Sequence, residues 1–184
     1  SWVDLKSEIY IKYHDHEWGV NVFDDYKLFE MLVLESFQAG LSWACILNKR
    51  DAMRRAFDNF DPLIISKYGE DKINELLMNK EIIRSRRKIE AIINNAKVFL
   101  SIKEEFGTFS NYIWKFTNGD VIKIKDNKIK TTSPLSDMVS ADLKKRGMKY
   151  VGSIIIYSYL QAIGVIDDHE IECYKYNGDI SERL

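Results

Sequence analysis

A carboxylate on the apolar face of residues 28–35 is the feature that most constrains this chain. Leu28, Met31, Leu32 and Glu35 recur at helical spacing, so an amphipathic helix would place all four side chains on one face. Burying an ionised carboxylate without a partner is costly, which favours a functional role for Glu35. The alternative is that Glu35 lies at the rim of this face and is solvated.

Helical patterns continue along most of the sequence. Two Pro and nine Gly among 184 residues leave room for long helices. Residues 120–130 alternate apolar side chains around Asp126 and Asn127, which predicts a short β-hairpin. The predicted class is therefore all-α with at most one small β element, in a single domain over residues 1–184. The predicted helices span 25–36, 41–58, 61–68, 70–79, 87–105, 108–116, 136–146, 153–163 and 167–175.

The overall composition is typical of a globular protein, with 46% hydrophobic and 30% charged residues. Two Cys do not make a disulfide framework, which favours a reducing compartment. No apolar run is long enough to span a membrane, and no signal peptide precedes Trp2. We therefore expect a cytoplasmic protein that has no membrane partner.

The net charge of −1 does not by itself indicate a nucleic-acid-binding protein, but the basic residues are clustered. The clusters lie at residues 49–55, 84–88 and 144–149, whereas acidic residues are concentrated elsewhere. A nearly neutral protein can thus present a basic face. The alternative is that each cluster is a solvated helix face.

Residues 10–20 combine aromatic and ionisable side chains. Tyr and Trp carry an apolar body and a polar tip, which suits a pocket that both stacks and hydrogen-bonds a ligand. The alternative is an N-terminal arm whose aromatic residues anchor it to the core. The side chains concerned are Tyr10, Tyr13, His14, Asp15, His16, Glu17 and Trp18.

Residues 136–163 have the pattern of a helix-hairpin-helix. Gly147 and Gly152 flank a turn between a helix with a polar end and an apolar second helix. The two glycines would let the backbone approach a phosphate, and the second helix would direct its N-terminal amides at that anion. Such contacts do not depend on base sequence. Four neighbouring basic residues strengthen a DNA-binding interpretation: Lys144, Lys145, Arg146 and Lys149.

Two segments, residues 10–20 and 28–43, resemble the DNA-3-methyladenine glycosylase type I family of bacterial base-excision-repair enzymes. They read Tyr-x-x-Tyr-His-Asp-x-Glu-Trp-Gly-Val and Leu-Phe-Glu-Met-Leu-x-Leu-Glu-x-x-Gln-Ala-Gly-Leu-Ser-Trp. The resemblance continues through residues 81–89, 143–152 and 168–173, so it covers nearly the whole chain. It implies a helix-hairpin-helix glycosylase fold with two helical lobes. The implied partner is double-stranded DNA that contains 3-methyladenine, bound by a monomer.

The resemblance also implies a pocket for a base that has left the duplex. Tyr13 and Trp43 would stack on the cationic methylated base, with a cation–π gain of roughly 0.5–2 kcal/mol, and Glu35 would accept from its exocyclic amine. Neutral adenine would leave this buried carboxylate poorly compensated. Gly40 and Leu41 resemble a turn that wedges into the duplex. Further pocket residues implied by the resemblance are Tyr10, Ser158, Trp2 and Trp18.

The chemistry implied is that of a monofunctional glycosylase. Alkylation at N3 makes the base a cationic leaving group, so strong general-acid catalysis is not needed. Bifunctional relatives carry a Lys two residues after the second hairpin Gly, where this chain has Ile154. Asp168 is a candidate for positioning the water, but the type I family lacks such an Asp, and we do not assign it.

A zinc site is also implied by the resemblance. His169 and Cys173 are four residues apart and would share one helix face, although that spacing alone is a weak signal. In the family, a structural zinc ion ties the termini together through two Cys and two His. His14, His169 and Cys173 match three of these ligands, and the fourth, a Cys, would stand just before residue 1. Two less favoured residues are His16, as a substitute ligand, and Cys45, which we assign to core packing.

Three functional interpretations follow. The favoured one is a monofunctional 3-methyladenine DNA glycosylase. A non-catalytic helix-hairpin-helix module that senses alkylated DNA is the second, and a zinc hydrolase using the three predicted ligands is the third. A carboxylate in an aromatic pocket favours the first, because a binding module would not need one.

Overall fold

The computed structural model describes residues 8–38, 40–124 and 130–167. The predicted mostly helical class is confirmed. A short 3-10 helix, Asp58–Phe60, follows α3. The helices are α1 (Glu8–His16), α2 (Asp25–Phe37), α3 (Trp43–Ala56), α4 (Pro62–Ile65), α5 (Glu70–Met78), α6 (Arg86–Phe106), α7 (Phe109–Lys115), α8 (Pro134–Lys145) and α9 (Ser153–Ala162).

The β structure differs from the predicted hairpin. Strand β1 (Ile122–Lys123) pairs in parallel with β2 (Ile166–Asp167), with Ile122 opposite Ile166. The alternation around residue 122 therefore predicted a strand correctly but gave it the wrong kind of partner. The proposed second arm falls largely in residues 125–129, which lie outside the described residues, as does nearly all of the predicted helix 167–175.

The helix starts follow from short polar side chains that accept hydrogen bonds from the first turn. Such a residue satisfies one of the backbone N–H groups that a helix leaves without a partner. This is why most predicted starts lie within two residues of the observed ones. The capping residues are Asp24, Ser42, Asp61, Ser85, Thr108 and Ser133.

Helix α2 lies at the centre of the molecule. All of its residues from Leu28 to Phe37 are buried, and it contacts α3, α6, α7 and α9. It is therefore buried on every side, which is the behaviour of a core helix rather than of a surface helix with one apolar stripe. Two polar contacts tie it to its neighbours. The Asp25 carboxylate accepts from the backbone N–H groups of Phe109 and Ser110 at 2.9 Å each, and the Tyr159 hydroxyl donates to the Leu28 carbonyl at 2.8 Å.

Helices α8 and α9 occupy the segment predicted as a helix-hairpin-helix. Residues 146–152 between them are called the hairpin below. Gly147 has a φ of +99°, which favours glycine, and the hydroxyl of Ser140 donates to the Val151 carbonyl at 2.6 Å. Across the three described ranges, none of the helices combines the length and apolar character needed to cross a bilayer.

Candidate active site

Glu35 is enclosed by the protein near the end of α2. Only 4% of the residue is exposed, and its Oε2 atom has no hydrogen-bond partner among the described residues. Burial raises the pKa of this carboxyl to about 8, because it removes the water that would stabilise the charged form. The alternative of a solvated residue at the rim of the helix is therefore wrong. At neutral pH the group is mainly a neutral acid, and a cation placed beside it would favour its ionised form.

The structure brings Tyr13 of α1 and Trp43 of α3 into contact. Their ring centroids are 5.4 Å apart, and the ring planes are inclined by 57°. A flat base between two parallel rings needs a slot of roughly 7 Å, twice the usual van der Waals separation. The two rings must therefore separate and turn if they are to hold a base between them.

The remaining predicted pocket residues are distributed over α1, α9 and the turn after α1. Trp18 is buried, and its ring stacks on that of His14 with 5.8 Å between the centroids. Ser158 is half-buried on α9, the helix that packs against α2. Tyr10 belongs to α1, while Trp2 lies outside the described residues.

An ion-pair network that the sequence analysis missed joins α1, α2 and α3. Glu17, just after α1, accepts two hydrogen bonds from the Arg50 guanidinium, at 2.7 and 2.8 Å, and one from Lys27 at 3.1 Å. Burial disfavours the charge on Glu17, but Arg50 and Lys27 outweigh that effect and lower its pKa to about 2. Arg50 lies two turns along α3 from Trp43 and Glu17 four residues after Tyr13. The network therefore fixes the two helices that carry these rings.

A second pair strengthens the same junction. Arg54 of α3 binds both carboxylate oxygens of Glu30 on α2, and Lys27 lies 3.4 Å from Glu30. Glu30 is buried, so that desolvation opposes its ionisation, yet these two cations hold its pKa below the usual value. Arg54 and Glu30 are 24 residues apart, a separation with no local sequence pattern.

The connection between α2 and α3, residues 38–42, is called the α2–α3 turn. Gly40 has a φ of +80° and is exposed, with nothing within 4 Å of the place where a Cβ would stand. The Leu41 backbone N–H donates to the Gln38 carbonyl at 2.7 Å, and the Leu41 side chain is exposed. The turn thus presents an apolar side chain to solvent, as a wedge residue requires.

Two asparagines of α6 form hydrogen bonds with the backbone of the hairpin, a contact that no sequence motif indicated. Asn95 is 4% exposed. Its amide donates to the Lys149 carbonyl and its oxygen accepts from the Lys149 N–H, both at 2.8 Å. The neighbouring Asn94 donates to the Gly147 carbonyl at 2.7 Å. The Asn95 side chain therefore pairs with both backbone groups of Lys149, as an adjacent β-strand would.

The four basic residues predicted to bind DNA fall into two groups. Lys144, Lys145 and Lys149 are exposed. Arg146 instead donates to Asp142 at 2.8 Å and to Glu105 at 2.7 Å, and it also lies over two aromatic rings. Its guanidinium is engaged within the protein. Gly147 and Gly152 lie near the two ends of the hairpin, with Lys149 between them, and Gly152 immediately precedes α9.

The predicted zinc ligands fall only in part within the described residues. His169 and Cys173 lie outside them, and His14 interacts with Asp15 at 3.1 Å through Nδ1. The described part of the chain contains no group of three or more His, Cys, Asp or Glu that could hold a metal ion. The zinc site therefore stays a prediction.

Comparisons with known proteins agree on one family. A family model described as methyladenine glycosylase matches residues 2–176. The DNA-3-methyladenine glycosylase 1 of Escherichia coli (strain K12) is 41% identical over 181 residues, which cover 97% of this chain and 96% of that protein. A crystal structure of 3-methyladenine DNA glycosylase I superposes with a TM-score of 0.90 at 44% identity, covering 95% and 97% of the two chains. The Staphylococcus aureus 3-methyladenine DNA glycosylase I, in a structure that addresses 3-methyladenine recognition, has a TM-score of 0.90 and 35% identity over 94% of each chain.

The buried carboxyl predicts a pH dependence of stability. The pKa of Glu35 is about 8 in the folded protein and near 4.5 when unfolded, so between these values the folded state keeps a proton that the unfolded state releases. This group therefore favours folding below pH 4.5 and loses that contribution as the pH rises toward 8, by up to about 1.4 kcal/mol per pH unit. In urea unfolding at pH 5.5 to 8, Glu35→Gln should lack this decline. Parallel pH profiles for the two proteins would contradict the assignment.

The clamp on the hairpin predicts unequal effects for two adjacent asparagines. Asn95→Leu removes both hydrogen bonds between the buried Asn95 side chain and the Lys149 backbone, so it should lower the free energy of unfolding by about 1–3 kcal/mol. Asn94→Ala removes an exposed hydrogen bond to the Gly147 carbonyl and a longer one, at 3.3 Å, to the Asn95 side chain, and should cost about 1 kcal/mol or less. Urea titration measures both changes. A loss of less than about 1 kcal/mol in Asn95→Leu would show that the clamp does not stabilise the fold.

Proposed function

Since the chain belongs to the methyladenine glycosylase family, we propose that it hydrolyses the N-glycosidic bond of 3-methyladenine in alkylated DNA and so initiates base excision repair. The observation that carries the proposal is Glu35. It is a buried carboxyl with an oxygen that has no partner among the described residues, near the end of a helix that is otherwise filled mainly with apolar side chains. Such a group is costly unless a ligand supplies its partner.

The raised pKa of Glu35 supports selection of a cationic base. Before a ligand binds, the carboxyl stays protonated at neutral pH, since its pKa is about 8. Arrival of a positively charged 3-methyladenine favours release of this proton to solvent, after which the carboxylate accepts from the exocyclic amine of the base. Neutral adenine offers no charge to offset the desolvated carboxylate. The enzyme therefore discriminates through the charge of the damaged base as well as its shape.

The bond cleavage needs little help from an acid. The bond between the sugar carbon and the base nitrogen breaks with its electron pair moving to the base, which leaves as neutral 3-methyladenine. Water then adds to the sugar carbon and loses a proton to solvent. Glu35 contributes by stabilising the cationic base in its extruded position, and Tyr13 and Trp43 contribute stacking once their rings have separated.

The DNA duplex is held by groups outside the pocket. The hairpin backbone, the N-terminus of α9 and the exposed Lys144, Lys145 and Lys149 bind phosphates without reading sequence. Leu41 fills the space that the extruded base leaves in the stack. Arg146, which is engaged by Asp142 and Glu105, supports the hairpin rather than the phosphates.

The position that carries the amine in a lyase is occupied by an aliphatic side chain. Ile154, two residues after Gly152, is 60% exposed near the start of α9 and cannot form a Schiff base with the sugar. We therefore assign the chain as a monofunctional glycosylase. The structural zinc that the family resemblance implies remains a proposal as well.

Product analysis tests this function directly. Methylated DNA incubated with the protein should release free 3-methyladenine, while 7-methylguanine stays in the DNA, and the strands should remain uncut until alkali is added. Chromatography of the bases and a gel of the strands measure these outcomes. Release of no base would favour the non-catalytic DNA-binding module. A protein–DNA adduct trapped by borohydride would contradict the absence of lyase chemistry.

Two substitutions should separate the pocket from the DNA-binding surface. Glu35→Gln keeps the size of the side chain but replaces one carboxyl oxygen with an amide NH2, which cannot accept from the exocyclic amine, so it should weaken binding of free 3-methyladenine and leave the affinity for undamaged DNA nearly unchanged. Lys149→Ala should do the reverse and reduce the salt dependence of DNA binding. Calorimetric titration with the base and fluorescence titration with DNA measure both. Unchanged base affinity in Glu35→Gln would remove Glu35 from the pocket.

A further inference from the structure

Helix α6 connects the α2–α3 turn with the hairpin. Near its start, the Lys88 ammonium donates to the carbonyl of Phe37 at 2.9 Å, and Phe37 is the last residue of α2 before that turn. Seven residues later, Asn95 holds Lys149 of the hairpin. Seven residues of α-helix rise about 10.5 Å. One helix therefore sets the distance between the two loops.

On α6, a second row of side chains lies beside Lys88 and Asn95 and is more exposed to solvent. Arg87 and Asn94 are also seven residues apart and share a helix face. Asn94 is half-buried and binds the Gly147 carbonyl at 2.7 Å, while Arg87 is exposed. Arg87 thus lies on the open side of α6, in the row that leads to the hairpin.

Residues 86–88, three adjacent members of the basic cluster at 84–88, have different surroundings and therefore do not act as one solvated face. Arg86 binds Glu70 and lies 3.1 Å from Glu90. Lys88 is engaged by the Phe37 carbonyl. Within the described ranges, the Arg87 guanidinium forms no ion pair or hydrogen bond. Glu90, the acidic residue one turn after Arg87, is already balanced by Arg86.

We propose that Arg87 binds a DNA phosphate next to the site of base extrusion, at the end of α6 away from the hairpin. The proposal rests on the proposed function, which lays the duplex across both loops. Asn94, in the same row as Arg87, contacts the hairpin, so a strand that runs along this row from the hairpin to the α2–α3 turn would pass Arg87. An exposed guanidinium at that place matches a phosphate in charge and can bind two of its oxygens.

Salt titration of binding to undamaged duplex DNA tests this contact. Loss of one phosphate contact should make the slope of log affinity against log salt concentration shallower by about 0.9 in Arg87→Gln. Arg87→Lys should keep the parent slope, because it keeps the charge. Arg86→Gln is the matched control, since its neighbouring guanidinium is already ion-paired, and it should also keep the parent slope. All three variants should bind free 3-methyladenine like the parent.

Equal slopes for Arg87→Gln and Arg86→Gln would overturn the proposal and make Arg87 a solvated helix residue. A shallower slope in both variants would also overturn it, because the effect would then reflect the general charge of the cluster. Base release from methylated DNA is a separate readout of the proposed function. If the parent protein binds DNA with a steep salt dependence but releases no base, the proposed enzymatic function is wrong. A slope change confined to Arg87→Gln would still support the phosphate contact in that case.

Discussion

The burial of α2 from Leu28 to Phe37 is the constraint on which the rest of this structure depends. Ten consecutive residues of the helix are enclosed, so any polar group among them must find a partner within the protein or in a ligand. Glu30 finds Arg54 and Lys27, and Ser36 donates to the Leu32 carbonyl one turn before it. Glu35 alone of these keeps an oxygen without a partner in the described structure, which makes it the point at which a ligand would stabilise the protein most.

The site is closed rather than preformed. The Tyr13 and Trp43 rings touch, and the charge of Glu35 is suppressed by burial. In the proposed function, a cationic aromatic ligand would separate the two rings and also stabilise the ionised form of Glu35. The Glu17 pair with Arg50 ties the end of α1 to α3 beside the two rings and so favours a rearrangement of side chains over one of helices. Affinity then reflects the stacking and charge interactions gained with the ligand minus the direct packing energy of the two rings.

Sequence patterns predicted the parts of the structure that depend on neighbouring residues. The span of α2 and the turn at Gly40 depend on local sequence, and both were predicted correctly. The single apolar face predicted for α2 was wrong, because the helix is buried on every side from Leu28 on. Helix α1 was missed because its aromatic and charged side chains hide any apolar stripe. The Glu17–Arg50 pair and the Asn95 clamp join residues 33 and 54 apart, and no local rule links them. For the same reason, the sequence did not distinguish Arg146 from the three lysines near it. In the fold, Asp142 and Glu105 bind Arg146.

The position of α2 also affects how the chain must be made. The Tyr159 hydroxyl and the Leu28 carbonyl, which help to close the core, are 131 residues apart. At about 5–20 residues per second, a ribosome needs roughly 7–26 s to add the residues that separate them. During that time, one side of a largely apolar helix has no α9 to cover it. The nascent chain is therefore most prone to aggregation before α9 is synthesised, and chaperones that bind apolar segments would act on α2 in this interval.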